Sequence, residues 1–208
     1  NFKKEFANIK VIDNKKNYKV SYCRNIGINL ASGKYICFVD SDDKLLKGSI
    51  NIILNQLKTY PESDLFVLRS EDISKKNFDE NQILNLKKNK ISKSIINNIE
   101  NFIKFRATCW NFIVRKEFLH SQNINFNNNI RIFEDQVFVS KILCLEKNFK
   151  IIQKSIYARR IFEPDSLGTK TGHIVVISCI NIIYEISKFI YQKKKILNKQ
   201  KINFLYSR

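Results

Sequence analysis

Apolar positions along the chain fall into short continuous runs alternating with helix-spaced stretches. Asn8–Asp13 (N-I-K-V-I-D) is β-branched and precedes the polar residues 14–19, which predicts a strand and a loop. Ser21 opens a helix whose body holds Ile26, Ile28, Leu30 and Ala31, with Ser32-Gly33 as its stop. Tyr35–Val39 (Y-I-C-F-V) is an unbroken apolar run of strand length, expected to be buried on both faces. It ends abruptly at Asp40-Ser41-Asp42-Asp43. Apolar residues at 50, 53, 54 and 57 mark a helix over Ser49–Tyr60, stopped by Pro61, and Asp64–Arg69 is a further strand.

Beyond residue 70 the pattern changes. Residues 71–105 are rich in Asn, Lys and Glu with scattered Ile and Phe, and read as amphipathic helices with a variable exposed face. The apolar segment Cys109–Val114, a helix near Lys116–His120 and an Asn-rich loop over 123–129 follow. Glu134-Asp135 stand at the mouth of a helix with apolar residues at 137, 138, 142 and 145, and Ile151–Tyr157 is a last strand. Strand and helix alternating in this way define an α/β class with a mostly parallel sheet flanked by helices.

Composition narrows the classes. With 208 residues and 44% hydrophobic positions a core forms, so disorder is excluded. The formal charge of +18 attracts polyanions, but Ile, Asn and Lys together supply 87 of 208 residues, the signature of A/T-rich codons, so the charge alone selects no partner. Residues 1–20 carry no apolar core of a secretory signal. Cys23, Cys37, Cys109, Cys144 and Cys179 are odd in number and lack metal spacing, so buried reduced thiols in a cytoplasmic protein are expected. Met is absent and the chain opens on Asn1, which is read as a missing N-terminal portion.

Three carboxylates within 40–43, just past an apolar strand, repel one another unless a counter-charge is present. A divalent cation sharing its shell with substrate phosphates is one neutraliser; an acidic cap on the helix near residue 49 is the other reading. Glu134-Asp135 read alone equally well as helix N-terminal carboxylates, and Trp110 as a partly buried core aromatic. His120 and His173 read as surface or capping residues.

The stretch 21–43, S-Y-C-R-N-I-G-I-N-L-A-S-G-K-Y-I-C-F-V-D-S-D-D, strongly resembles glycosyltransferase family 2. Trp110-Asn111 with Arg115-Lys116-Glu117-Phe118-Leu119 resembles that family's second conserved segment, and Ile132-Phe133-Glu134-Asp135 its acidic segment, in the same order. Arg159-Arg160 with Pro164-Asp165-Ser166 is a weaker third match and lacks a His inside the loop. The resemblance implies a GT-A fold, Rossmann-like and incomplete at the N-terminus, over residues 1–172, with a basic helical tail over 173–208. It implies Mg²⁺ or Mn²⁺ on Asp42 and Asp40, and nucleotide-sugar contacts from Arg24, Asn25, Asp40, Asp43, Arg159 and Arg160. Trp110 and Asn111 would face the acceptor, Asp135 would be the base, and Glu134 would orient base or acceptor.

The expected reaction is therefore inverting, metal-dependent transfer from a nucleotide-diphosphate sugar to a hydroxyl of a glycan or lipid-linked acceptor in bacterial surface polysaccharide synthesis. The family's opening strands, which clamp the base, have no counterpart, so the chain alone is expected to be a poor enzyme. Two alternatives stand beside this reading: a non-catalytic basic module on nucleic acid or anionic membrane, and a nucleotidyltransferase of related fold. Aromatics lie within apolar runs instead of interleaving with basic residues, which disfavours nucleic acid. Ile174–Tyr184 is apolar but only eleven residues long, too short to span a bilayer, and residues 188–208 hold seven basic residues and no acid. This tail reads equally as a peripheral contact with the inner membrane surface or as a helix packed back on the domain.

Overall fold

The computed structural model describes residues 8–73, 108–146, 149–160 and 172–206. The helices expected over 71–105 and the loop with Pro164-Asp165-Ser166 lie largely outside the described residues. Five strands, β1 (Tyr35–Cys37), β2 (Lys44–Leu45), β3 (Leu65–Ile73), β4 (Phe112–Arg115) and β5 (Phe149–Arg160), form one sheet in the order β1-β4-β3-β5-β2. Helices α1 (Lys19–Leu30), α2 (Ser49–Thr59), α3 (Lys116–Gln122), α4 (Glu134–Leu145), α5 (His173–Lys193) and α6 (Lys199–Tyr206) accompany it.

The α/β class stands, but the pairing is mixed where a mostly parallel sheet was expected. β1, β3 and β5 run in one sense, while β4 lies antiparallel between β1 and β3, and β2 lies antiparallel to β5. Among the described residues only β3 and β5 form a parallel pair. An apolar run carries no direction, so periodicity did not reveal that β4 turns back.

β3 contributes to both of the larger cores. Leu65 and Val67 point into one cluster with α4 and α5, and Phe66 and Leu68 into a second with Ile53 of α2. All four strand residues are fully buried, as the period of two requires of a central strand. β1 departs from expectation. Cys37 is exposed, because β1 pairs only with β4 among the described residues and is an edge there. Cys23 and Cys179 are exposed too, so the expected burial of thiols holds only for Cys109 and Cys144.

Asn8–Asp13 forms no strand. Val11 and Ile12 are exposed, and the segment has no ladder partner among the described residues. α1 ends at Leu30, where the Ala31 N–H bonds the Gly27 carbonyl. α2 starts behind Gly48, whose φ of 80° is the left-handed conformation that favours glycine. Its Ser49 hydroxyl donates to the Ile156 carbonyl at 2.7 Å. No acid caps α2, which removes the capping role considered for Asp42 and Asp43.

The segment after 172 joins the main core. Ile182, Ile186 and Phe189 of α5 pack there with Leu197 and Leu205. Buried Lys141 of α4 pairs with Glu185, which also accepts from Asn127 at 3.0 Å. At 21 residues and a mean hydropathy of 1.7 over its best window, α5 is longer than the apolar run suggested, and long and apolar enough to cross a membrane by length and composition.

Candidate active site

The sheet places residues 40–43 where β1 ends. A tight turn closes there, with the Asp43 N–H donating to the Asp40 carbonyl at 3.1 Å. Tyr157 of β5 fixes that turn. Its hydroxyl accepts from the Asp40 N–H at 3.1 Å and donates to Asp43 Oδ2 at 2.6 Å. The other Asp43 oxygen accepts from the Arg160 N–H at 2.8 Å. Asp43 is thereby tied to β5, and burial still raises its carboxyl above the ordinary range against the pull of the Tyr157 bond.

Arg24 of α1 crosses the floor. It donates to Asp40 and to Glu134 at 2.9 Å each and lies over the Phe126 ring. Glu134 and Asp135 open α4 behind Phe133, which holds a left-handed φ of 67°. A bulky side chain there is strained by roughly 1–3 kcal/mol and persists only where surrounding packing imposes it. Burial raises the Glu134 carboxyl despite Arg24. Asp135 is pushed up to about 7, first by burial and then by the Glu134 charge. The helix N-terminus favours both carboxylates, yet for Asp135 desolvation outweighs it.

Asp40, Asp42, Asp43, Glu134 and Asp135 all line one cavity of about 660 Å³, with Arg24, Trp110, Arg131, Arg159 and Arg160 also on its wall. Asp43 and Glu134, 91 positions apart in the sequence, thus meet on one space. Trp110 is buried and stacks on Tyr157 at 4.8 Å and 8°. Arg159 forks onto Asp72 at 2.9 and 3.1 Å. Both arginines sit at the end of β5. Two expected residues lie off the wall: Asn25 pins the loop at Phe126 through bonds of 2.9 Å in both directions, and Asn111 is buried beneath.

Sequence reasoning missed Tyr157 and Arg131. Arg131 had a signal, a cation three positions before an acidic pair. Tyr157 had none, since an aromatic in an apolar strand reads as core.

Among the described residues no group of three or more potential ligands is arranged to hold a metal ion. Asp40 is engaged by Arg24, and Asp43 by Tyr157 and Arg160. Asp42 has no partner among the described residues. One free carboxylate fits a Mg²⁺-type ion, which takes one or two protein carboxylates and completes its shell with phosphates and water.

The sequence pattern of Glycosyl transferase family 2 matches residues 1–121, more than half of the chain. The chain belongs to glycosyltransferase family 2. It is 28% identical over 173 residues to the minor teichoic acid biosynthesis protein GgaB of Bacillus subtilis, across 82% of this chain and 18% of that protein. Its fold is similar to S. aureus TarS in complex with UDP-GlcNAc, with a TM-score of 0.65 and 18% identity over 89% of this chain and 53% of that one. TarS in complex with UDP matches with a TM-score of 0.52 and 16% identity, over 85% and 52% of the two chains. The fold is of the GT-A type expected from the sequence. The chain spans less than a fifth of GgaB and about half of the TarS chain.

Proposed function

We propose that the chain carries the metal and base segments of a glycosyltransferase that moves a sugar from a uridine-diphosphate donor to a hydroxyl of a teichoic-acid-type polymer. The carrying observation is the single cavity shared by Asp42 and Asp135, where burial pushes the Asp135 carboxyl up to about 7. TarS crystals with UDP-GlcNAc and UDP support the donor class, and GgaB supports the acceptor class. A polyol-phosphate acceptor is polyanionic, which suits a chain of formal charge +18. Donors of this class put the reaction on the cytoplasmic side.

Asp42, with Asp40 beside it, would hold Mg²⁺ or Mn²⁺, which when bound neutralises the leaving diphosphate. Arg131, Arg159 and Arg160 line the same cavity and add positive charge for the phosphate oxygens. Asp135 accepts the proton of the acceptor hydroxyl as it attacks, a role for which a pKa near the working pH is suited. Glu134, held by Arg24, keeps the α4 mouth in place and raises the basicity of Asp135. One base opposite one leaving group gives a single displacement and inversion at the anomeric carbon. Trp110, against Tyr157, forms the wall on which the acceptor rests.

The test is release of UDP from UDP-GlcNAc in the presence of Mn²⁺ and a purified wall polymer. Release that depends on the polymer and couples to sugar incorporation supports the reading. Incorporation absent with every nucleotide sugar and polyol-phosphate acceptor tried, once a base-clamping segment is supplied, contradicts it.

A further inference from the structure

Helix α5 is apolar on two opposite faces, and among the described residues only one of them is covered. Ser178, Ile182, Ile186 and Phe189 face the core. Val176, Ile177, Ile180, Ile183, Tyr184 and Tyr191 are all more than half exposed and recur at the helical period on the other side. Only 22% of the helix's apolar window is buried. Six such side chains in one stripe exceed the scattered apolar residues normal on a soluble surface and mark an interaction face.

The charge pattern selects the occupant. Lys188, Lys194, Lys195 and Lys199 are exposed at the C-terminal end of this stripe. Glu185 is the only acid from 173 to 208, and it is turned inward to Lys141 and Asn127. A second copy would bring another +18 against the same surface. We infer that the outer face of α5 seats the protein on an anionic bilayer surface, lying in the headgroup plane. Tyrosines beside aliphatics and flanking lysines suit that depth. The Lys141–Glu185 pair on the opposite face anchors α5 to the domain, which sets an interfacial position against a spanning one.

The catalytic cavity is close to this face. An apolar groove of about 310 Å³ runs between α5, α6 and the mouth of α4. Phe133 and Gln136 line both that groove and the catalytic cavity, and Ile183 belongs to both the groove and the stripe. Docking would therefore hold Asp135 beside the membrane surface, where an acceptor carried on a lipid presents its hydroxyls.

Vesicle flotation tests this without any transfer reaction, so its failure is separate from failure of the enzymatic reading. The protein should float with vesicles of about one-third phosphatidylglycerol, poorly with neutral phosphatidylcholine, and less at high salt. Ile177→Glu with Ile180→Glu should abolish flotation without lowering the melting temperature, since both side chains are exposed. Neutralising Lys188, Lys194 and Lys195 to Gln should weaken binding about fivefold per lysine. Three results overturn the inference. One is flotation unchanged in the Glu variant, or absent in the wild type. Another is a concentration-dependent dimer that the Glu variant dissolves, which assigns the face to a second copy. The third is a fall in melting temperature in the Glu variant, which assigns the face to packing within the protein's own chain.

Discussion

The guanidinium of Arg24 lies 2.9 Å from the Glu134 carboxylate across 110 positions of sequence, and its other nitrogen holds Asp40 at the same distance. One side chain on α1 thus joins the turn at the end of β1 to the mouth of α4. The carboxylates at the end of β1 and at the mouth of α4 are thereby positioned as a unit.

Removing that link leaves Glu134 buried without its partner. Arg24→Met should destabilise the fold by about 3 kcal/mol, the scale for stranding one member of a buried pair. The penalty falls on the charged carboxylate, so it should shrink as pH drops and Glu134 takes a proton. Chemical denaturation at about pH 8 and about pH 5 checks this; an equal loss at both would assign Arg24 to packing alone.

Tyr157 positions residues 40–43 through two hydrogen bonds, while its ring stacks on Trp110. Tyr157→Phe keeps the ring and removes both bonds. Metal-dependent donor binding should weaken about tenfold, the scale of two ordinary hydrogen bonds, with the acceptor KM little changed. A matching rise in acceptor KM would mean that the ring, not the hydroxyl, had been disturbed.

Asp42→Asn should remove the one carboxylate of its turn without a partner among the described residues. Mn²⁺ binding followed by paramagnetic resonance should fall to background in the presence of UDP, with the melting temperature unchanged. Retained Mn²⁺ affinity would move the metal to other ligands.

Asp135 carries a pH signature. Its carboxyl is raised from 3.8 to about 7 by burial first and by Glu134 second. As the proposed base it would work deprotonated, so kcat/KM should rise with pH through an apparent pKa near 7. Glu134→Gln should shift that limb to lower pH. For stability the sign is opposite: the folded pKa lies above the unfolded one, so ionised Asp135 destabilises the fold above 7, and that cost disappears as pH falls below 3.8. Asp135→Asn should therefore raise the melting temperature at alkaline pH.

What was legible in the sequence is what is local. Acids directly after Tyr35–Val39 and an acidic pair opening an apolar helix carry their chemistry within a few residues, and both line the cavity. The role of Tyr157 depends on Asp43, 114 positions away, and no periodicity registers that. The family resemblance implies a nucleotide-sugar contact from Asn25, but its amide bonds the loop at Phe126. Asn8–Asp13 has the β-branched pattern of a strand, yet a ladder needs a second strand, which the described residues do not provide. Strand direction also escaped, because β4 has the same apolar signature whichever way it runs.

The proposed mechanism turns on Asp135 as the base, acting on an acceptor across the cavity from Asp42. The most direct measurement is the affinity of Asp135→Asn for UDP-GlcNAc with Mn²⁺, set beside its single-turnover transfer rate. Donor affinity should stay within about threefold of wild type, and transfer should slow by roughly a hundredfold or more. Transfer at near wild-type rate, or loss of donor affinity in parallel with rate, would contradict it.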